Sequence, residues 1–275
     1  MVWAAIGVAC VLGQTQQAQA QSVELGASTA LHTTYVFRGV PQYVGDDNPT
    51  LQLGLDVALK HGSGFWWGEV WAATSLQQRD TNSRRGSGEE VNIALGYTWQ
   101  LHPSLTWTLG GIEYLRPSNE PINYREELMT NLFWDAYEGE LATVSPYVAA
   151  FGEVHRLLGV YVEVGAHTRV ELGDGFVLSL LGFAGGAQYA EDTVDSNLIG
   201  GTVALTYNIS AWPGLSITGH LSPSLSQENI GVSGNDFIDR HGFLWSGLVL
   251  RYTAIDAELP ATRRRTLGLG FQAIR

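Results

Sequence analysis

Apolar side chains recur at every second position along most of this chain, and that period permits few folds. From Val23 the odd positions carry Val23, Leu25, Ala27, Leu31, Tyr35 and Phe37, while Glu24, Ser28, His32 and Arg38 fall between them. Successive side chains of a strand point to opposite faces, so the spacing makes one apolar and one polar face. Leu51, Leu53, Leu55, Val57 and Leu59 repeat it against Gln52, Asp56 and Lys60. Val160, Val162 and Val164 repeat it against Tyr161 and Glu163, and the polar face continues through His167, Arg169 and Glu171. Further strands are expected over 65–76, 91–99, 105–114, 128–134, 147–154, 176–189, 199–209, 215–225 and 243–252. The eleventh places His220 and the twelfth Arg251 on the polar face.

The lengths of the connections supply an independent constraint. Those near residues 61–64, 100–104, 172–175 and 210–214 are short, and those near 39–49, 77–89, 116–123, 188–196 and 226–241 are long. Near-alternation of short and long ends is the habit of bacterial membrane barrels, with short periplasmic turns and longer outer loops. A soluble β-sandwich accounts for the strands but not for this asymmetry. The expected fold is therefore all-β, a transmembrane antiparallel up-and-down β-barrel of about 12 strands. Fourteen is the alternative, because such barrels are even-numbered and Leu267, Leu269, Phe271 and Ala273 in the tail still alternate.

Composition agrees. The chain is 45% hydrophobic, yet past the first dozen positions it holds no run long enough for a helical span. A net charge of −12 makes nucleic acid a poor partner, since phosphate binding needs basic surface. The apolar run Val2 to Leu12, followed by Ala18-Gln19-Ala20, reads as an export signal cut after Ala20, leaving residues 21–275 as the barrel. The single cysteine, Cys10, lies inside that signal, so thiol and disulfide chemistry are not expected of the mature chain. The expected location is the bacterial outer membrane of a Gram-negative cell.

Two local features break the rhythm. In the fifth strand Leu105, Trp107 and Leu109 are odd but Ile112 and Tyr114 are even, and a bulge at Gly110-Gly111 would restore one apolar face. Gln227 to His241 is polar and reads as a long loop. Aromatics at Tyr35, Phe37, Phe65, Trp66, Tyr97, Trp99, Trp134, Tyr207 and Trp212 fall near strand ends, where an interfacial girdle would sit.

Within the first strand and its loop stands Tyr35-Val36-Phe37-Arg38-Gly39-Val40-Pro41-Gln42, followed by Asn48-Pro49-Thr50-Leu51-Gln52, Ser63-Gly64-Phe65 and Trp71-Ala72. Over residues 33–76 this resembles the TorF-like family of outer-membrane β-barrel proteins, whose members begin with a similar YVFRG segment. The resemblance implies an outer-membrane barrel and supplies no catalytic residues. The chain departs from the usual barrel ending, because Phe271 is followed by Gln272-Ala273-Ile274-Arg275.

If the apolar face meets lipid, the opposing residues line the interior: Glu24, His32, Arg38, Asp56, Lys60, Glu163, His167, Arg169, Glu171, His220 and Arg251. One reading is a narrow diffusion channel for small polar solutes. The other is a closed envelope barrel whose interior charges pair with one another, because a buried charge is tolerated only when paired. A third, lesser reading is a lipid-acting barrel enzyme: His220-Leu221-Ser222 resembles the His-x-Ser spacing of outer-membrane phospholipases, although Pro223 follows where they carry Asn-Gly. No catalytic residue, cofactor or metal site is assigned, since the histidines are scattered singly. Expected partners are outer-membrane lipid, lipopolysaccharide and the barrel-insertion machinery.

Overall fold

The computed structural model describes residues 23–34, 36–37, 40–41, 49–76, 90–116, 123–154, 159–188, 194–232 and 235–255. Twelve long strands account for nearly all of them. They are β1 (Val23–His32), β2 (Thr50–His61), β3 (Gly64–Ser75), β4 (Glu90–His102), β5 (Leu105–Arg116) and β6 (Asn123–Trp134). The second half continues with β7 (Ala142–Glu153), β8 (Val160–Gly173), β9 (Phe176–Gln188), β10 (Val194–Asn208), β11 (Leu215–Val232) and β12 (Asn235–Ile255). Each pairs antiparallel with its predecessor, and β1 pairs with β12 from Glu24↔Ile255 to His32↔Gly247. The sheet is thereby closed, so each of the twelve long strands has a partner on both sides.

Turn chemistry fixes one end of the barrel. β2 and β3 are joined through Gly62 (φ 57°), and β8 and β9 through Gly173, Asp174 and Gly175, all at positive φ. Such backbone angles suit the tight hairpins that match strand twist, and glycine adopts them without steric cost. β6 and β7 are linked by 135–141, within which Tyr137–Glu138 pairs with Thr143 and Val144. The main β6–β7 ladder begins only at Tyr147↔Phe133, and Pro146, which has no N–H to donate, lies in the gap.

The outer surface is apolar. Leu55, Ile199, Leu225 and Leu244 are all more than 60% exposed, and Leu25, Leu31, Val162, Val164, Val203, Leu221 and Leu248 share their face. In water a belt of this extent is an aggregation liability, whereas around a closed barrel it matches hydrocarbon. Outward aromatics gather toward the short-turn end. Trp66, Tyr97, Trp99 and Trp107 form a chain of ring contacts with centroids 4.6–4.8 Å apart, and Phe176 meets Tyr207 at 4.7 Å. Trp134, Tyr137 and Trp212 are exposed at the same end.

Several expectations need correction. The glycine pair of β5 makes no bulge: its register with β4 runs unbroken from Leu115 to Thr106, and the irregularity falls at Gln100–His102. Ile112 and Tyr114 therefore point inward and are buried. Phe65 also faces inward, at 3% exposure, rather than joining the girdle. β11 and β12 stay paired within the stretch 227–241, out to Val232↔Asn235, because a ladder needs no apolar face once two strands are already in register. The first strand ends at His32 and the seventh starts at Ala142, five residues before its clear alternation. The export segment 1–20, Arg38, the side chains of Tyr35 and Phe37, and the tail 256–275 lie outside the described residues.

Candidate functional site: the barrel lumen

The inward face is divided into two unlike halves. From β3 to β9 it is packed with large side chains. Trp67 lies over the backbone of its neighbours: a Cβ at Gly96 would come within 2.5 Å of its ring and one at Gly110 within 2.9 Å. Glycine on β4 and β5 thus makes space for the indole. Phe65, Ile112, Met129, Phe151 and Tyr161 extend the cluster, and Phe133 stacks on Tyr147 with centroids 5.1 Å apart.

Charges in this half are embedded and bonded. Glu163, only 1% exposed, accepts the hydroxyl hydrogens of Tyr147 (2.5 Å) and Tyr161 (2.6 Å). Glu127 accepts from Tyr114 (2.9 Å) and pairs with Arg125, whose Nε approaches Glu153 at 3.4 Å. Arg116 and Glu90 lie 3.5 Å apart farther along the wall. Glu163 and Glu127 have exchanged water for charge-assisted hydrogen bonds, which makes their burial tolerable, while Glu153 Oε2 faces Arg125 Nε as an ion pair without a hydrogen bond.

From β10 through β12 and on to β1 and β2 many of the inward residues are small and hydroxylic, with Trp245, two histidines and the Asp56–Arg251 pair among them. Thr202 meets Ser222 at 2.9 Å and Thr206 meets Thr218 at 2.8 Å. Against this wall lies a cavity of about 190 Å³, bordered by Ser28, His32, Gln52, Ser216, Thr218, His220, Trp71 and Trp245. Arg251 reaches across β1 to Asp56, with its Nη2 2.9 Å from both carboxylate oxygens. A Cβ at Gly26 would occupy that space, lying 2.3 Å from Asp56 Oδ2.

The residues singled out from sequence are thus distributed unevenly. His32, His167, His220 and Arg251 border the cavity, and Asp56 is bound to Arg251 beside it. Glu24 is buried on β1, Lys60 is half-buried near the β2 turn, and Glu163 belongs to the packed half. Arg169 and Glu171 pair at 2.8 Å toward the short-turn end. Sequence reasoning did not assign Trp71, Trp245 and Gly247 to the lumen. An inward tryptophan looks like any other aromatic in an alternating pattern, and Gly247 gains meaning only from what flanks it. His220 Nδ1 does lie 3.1 Å from Ser222 Oγ, but both side chains face the lumen, away from the lipid a phospholipase would have to reach. Among the described residues no group of three or more metal-ligating side chains occurs.

Solved structures similar to the chain include the NanC porin, at 14% identity over 86% of this chain and 100% of that one, with a TM-score of 0.46. The COG4313 outer membrane channel from Pseudomonas putida F1 shares 13% identity over 88% and 98% of the two chains, with a TM-score of 0.45. LpxR from Salmonella typhimurium shares 10% over 82% and 99%, with a TM-score of 0.43. No curated protein matches the sequence. Residues 16–202 match the model of a family described as bacterial protein of unknown function (Gcw_chp), a span that takes in the strands from β1 into β10, and the chain belongs to that family.

Proposed function

We propose that this protein resides in the bacterial outer membrane and provides a narrow, off-centre diffusion path for small polar solutes. The observation that carries the reading is the cavity of about 190 Å³ against the Ser/Thr wall, on the side of the lumen that large side chains leave unfilled. Hydroxyls and the Asp56–Arg251 pair offer a permeating solute replacement hydrogen bonds for its lost water. A twelve-stranded barrel is wide enough to pass solutes only where its interior is not filled by side chains. In this scheme the N-terminal segment directs export, the insertion machinery closes the barrel, and lipid and lipopolysaccharide surround the apolar belt.

A closed envelope barrel is the second reading, favoured by the tight packing of β3 to β9. Single-channel recording in planar bilayers separates the two. The channel reading expects discrete openings that grow larger in Trp245→Ala, which removes the indole bordering the cavity. Well-folded protein that stays electrically silent, with that variant silent as well, supports the closed barrel instead.

A further inference from the structure

We infer that His32 and His220 form a two-imidazole site on the lumen wall for a borderline divalent transition ion such as copper, nickel or zinc, and that Gly247 exists at its position to let them meet. The two histidines are 188 residues apart in sequence, on strands that are not neighbours. β12 runs between them, and Gly247 is the register partner of both, as His32↔Gly247 on one side and His220↔Gly247 on the other. Side chains two strands apart would ordinarily be held off by the side chain between them. Here there is none. A Cβ at Gly247 would lie 2.4 Å from His32 Nδ1 and 2.6 Å from His220 Nε2.

Over the glycine, His32 Nδ1 and His220 Nε2 come within 3.1 Å, with the ring planes inclined at 51°. Bonds of about 2.0–2.1 Å to each nitrogen would make them subtend about 100° at an ion, near the tetrahedral angle. The outer contacts suit this role. His220 Nδ1 stands 3.1 Å from Ser222 Oγ, which is 2.9 Å from Thr202 Oγ1. With Nδ1–H donating to Ser222 and Ser222 donating to Thr202, the ring is fixed in the tautomer that leaves the Nε2 lone pair toward His32. A hydrogen bond on the far ring nitrogen is the usual support for a metal-bound histidine. Both imidazoles border the cavity of about 190 Å³, so the remaining coordination positions fall to solvent. Imidazole nitrogen selects copper, nickel and zinc over calcium and magnesium, which prefer oxygen.

The test is a calorimetric titration of the untagged, full-length protein, folded in detergent, with nickel, zinc and magnesium salts. The expected result is one equivalent of nickel or zinc bound and no magnesium. His32→Ala and His220→Ala should each abolish that binding, and Ser222→Ala should weaken it about tenfold. Gly247→Ala is the sharpest variant, since it keeps both imidazoles and forces them apart; it too should lose the ion. Should Gly247→Ala fail to fold by circular dichroism, His32→Gln, which keeps a side chain of similar bulk but removes one imidazole, should likewise lose the ion, and unchanged binding there overturns the proposal. Wild-type protein that binds neither ion, or a His32→Ala/His220→Ala double variant that binds as wild type does, overturns the proposal. The readout is independent of whether the lumen conducts.

Discussion

The two halves of the lumen use one backbone plan for opposite ends. Between β3 and β9 the inward positions hold tryptophan, phenylalanine and tyrosine, and each buried carboxylate has hydroxyl or guanidinium partners. Between β10 and β2 they hold mainly serine and threonine, with two histidines, Trp245 and the Asp56–Arg251 pair, and a cavity remains. Strand geometry does not distinguish the halves, because both are antiparallel ladders with every second residue inward. Side-chain volume does. Filling one half braces a barrel that would otherwise enclose a wide empty lumen, and the smaller side chains of the other leave a cavity that reaches Trp71 on β3, His167 on β8 and Ser179 on β9.

The sharpest way to break that comparison is to hollow the packed half. Trp67→Ala should lower unfolding stability by about 3–5 kcal/mol, as large-to-small changes in dense cores do, measured by denaturant unfolding in detergent. Glu163→Gln should cost about 2 kcal/mol, because a carboxamide offers one oxygen where two tyrosine hydroxyls now donate. Its effect on conductance should be small, since Glu163 lies away from the cavity. Thr218→Ala, on the open wall, should cost only about 1 kcal/mol for its single bond to Thr206. Equal losses for Trp67→Ala and Thr218→Ala would erase the distinction between the halves. The finest test concerns charge: Asp56→Asn leaves the Arg251 guanidinium uncompensated beside the path. Reversal potentials in a salt gradient should then move toward chloride, and Arg251→Ala should move them the other way.

Where the interior is polar, the sequence was easy to read. β1, β2, β8 and β11 alternate cleanly because lipid selects apolar residues outside while hydroxyls and charges lie inside. In β3, β5 and β9 both faces carry apolar residues, since Trp67, Ile112 and Phe183 fill the lumen. The period fades there for a physical reason. Gly110-Gly111 was misread for the same cause: the glycine makes room for the indole of Trp67, which stands on another strand. The His32–His220 contact was hidden, because it joins strands that are not neighbours and depends on the register that sets Gly247 between the two rings.

Thiol accessibility tests the account most directly. In a Cys10→Ser background the chain has no native thiol, so single substitutions can be read one at a time with a charged, membrane-impermeant maleimide on protein reconstituted in lipid. Ser216→Cys, beside the cavity, should react. Ala149→Cys in the packed half and Leu55→Cys on the outer belt should not. Rapid labelling at Leu55 would contradict the lipid-facing surface, and labelling at Ala149 equal to that at Ser216 would contradict the divided lumen.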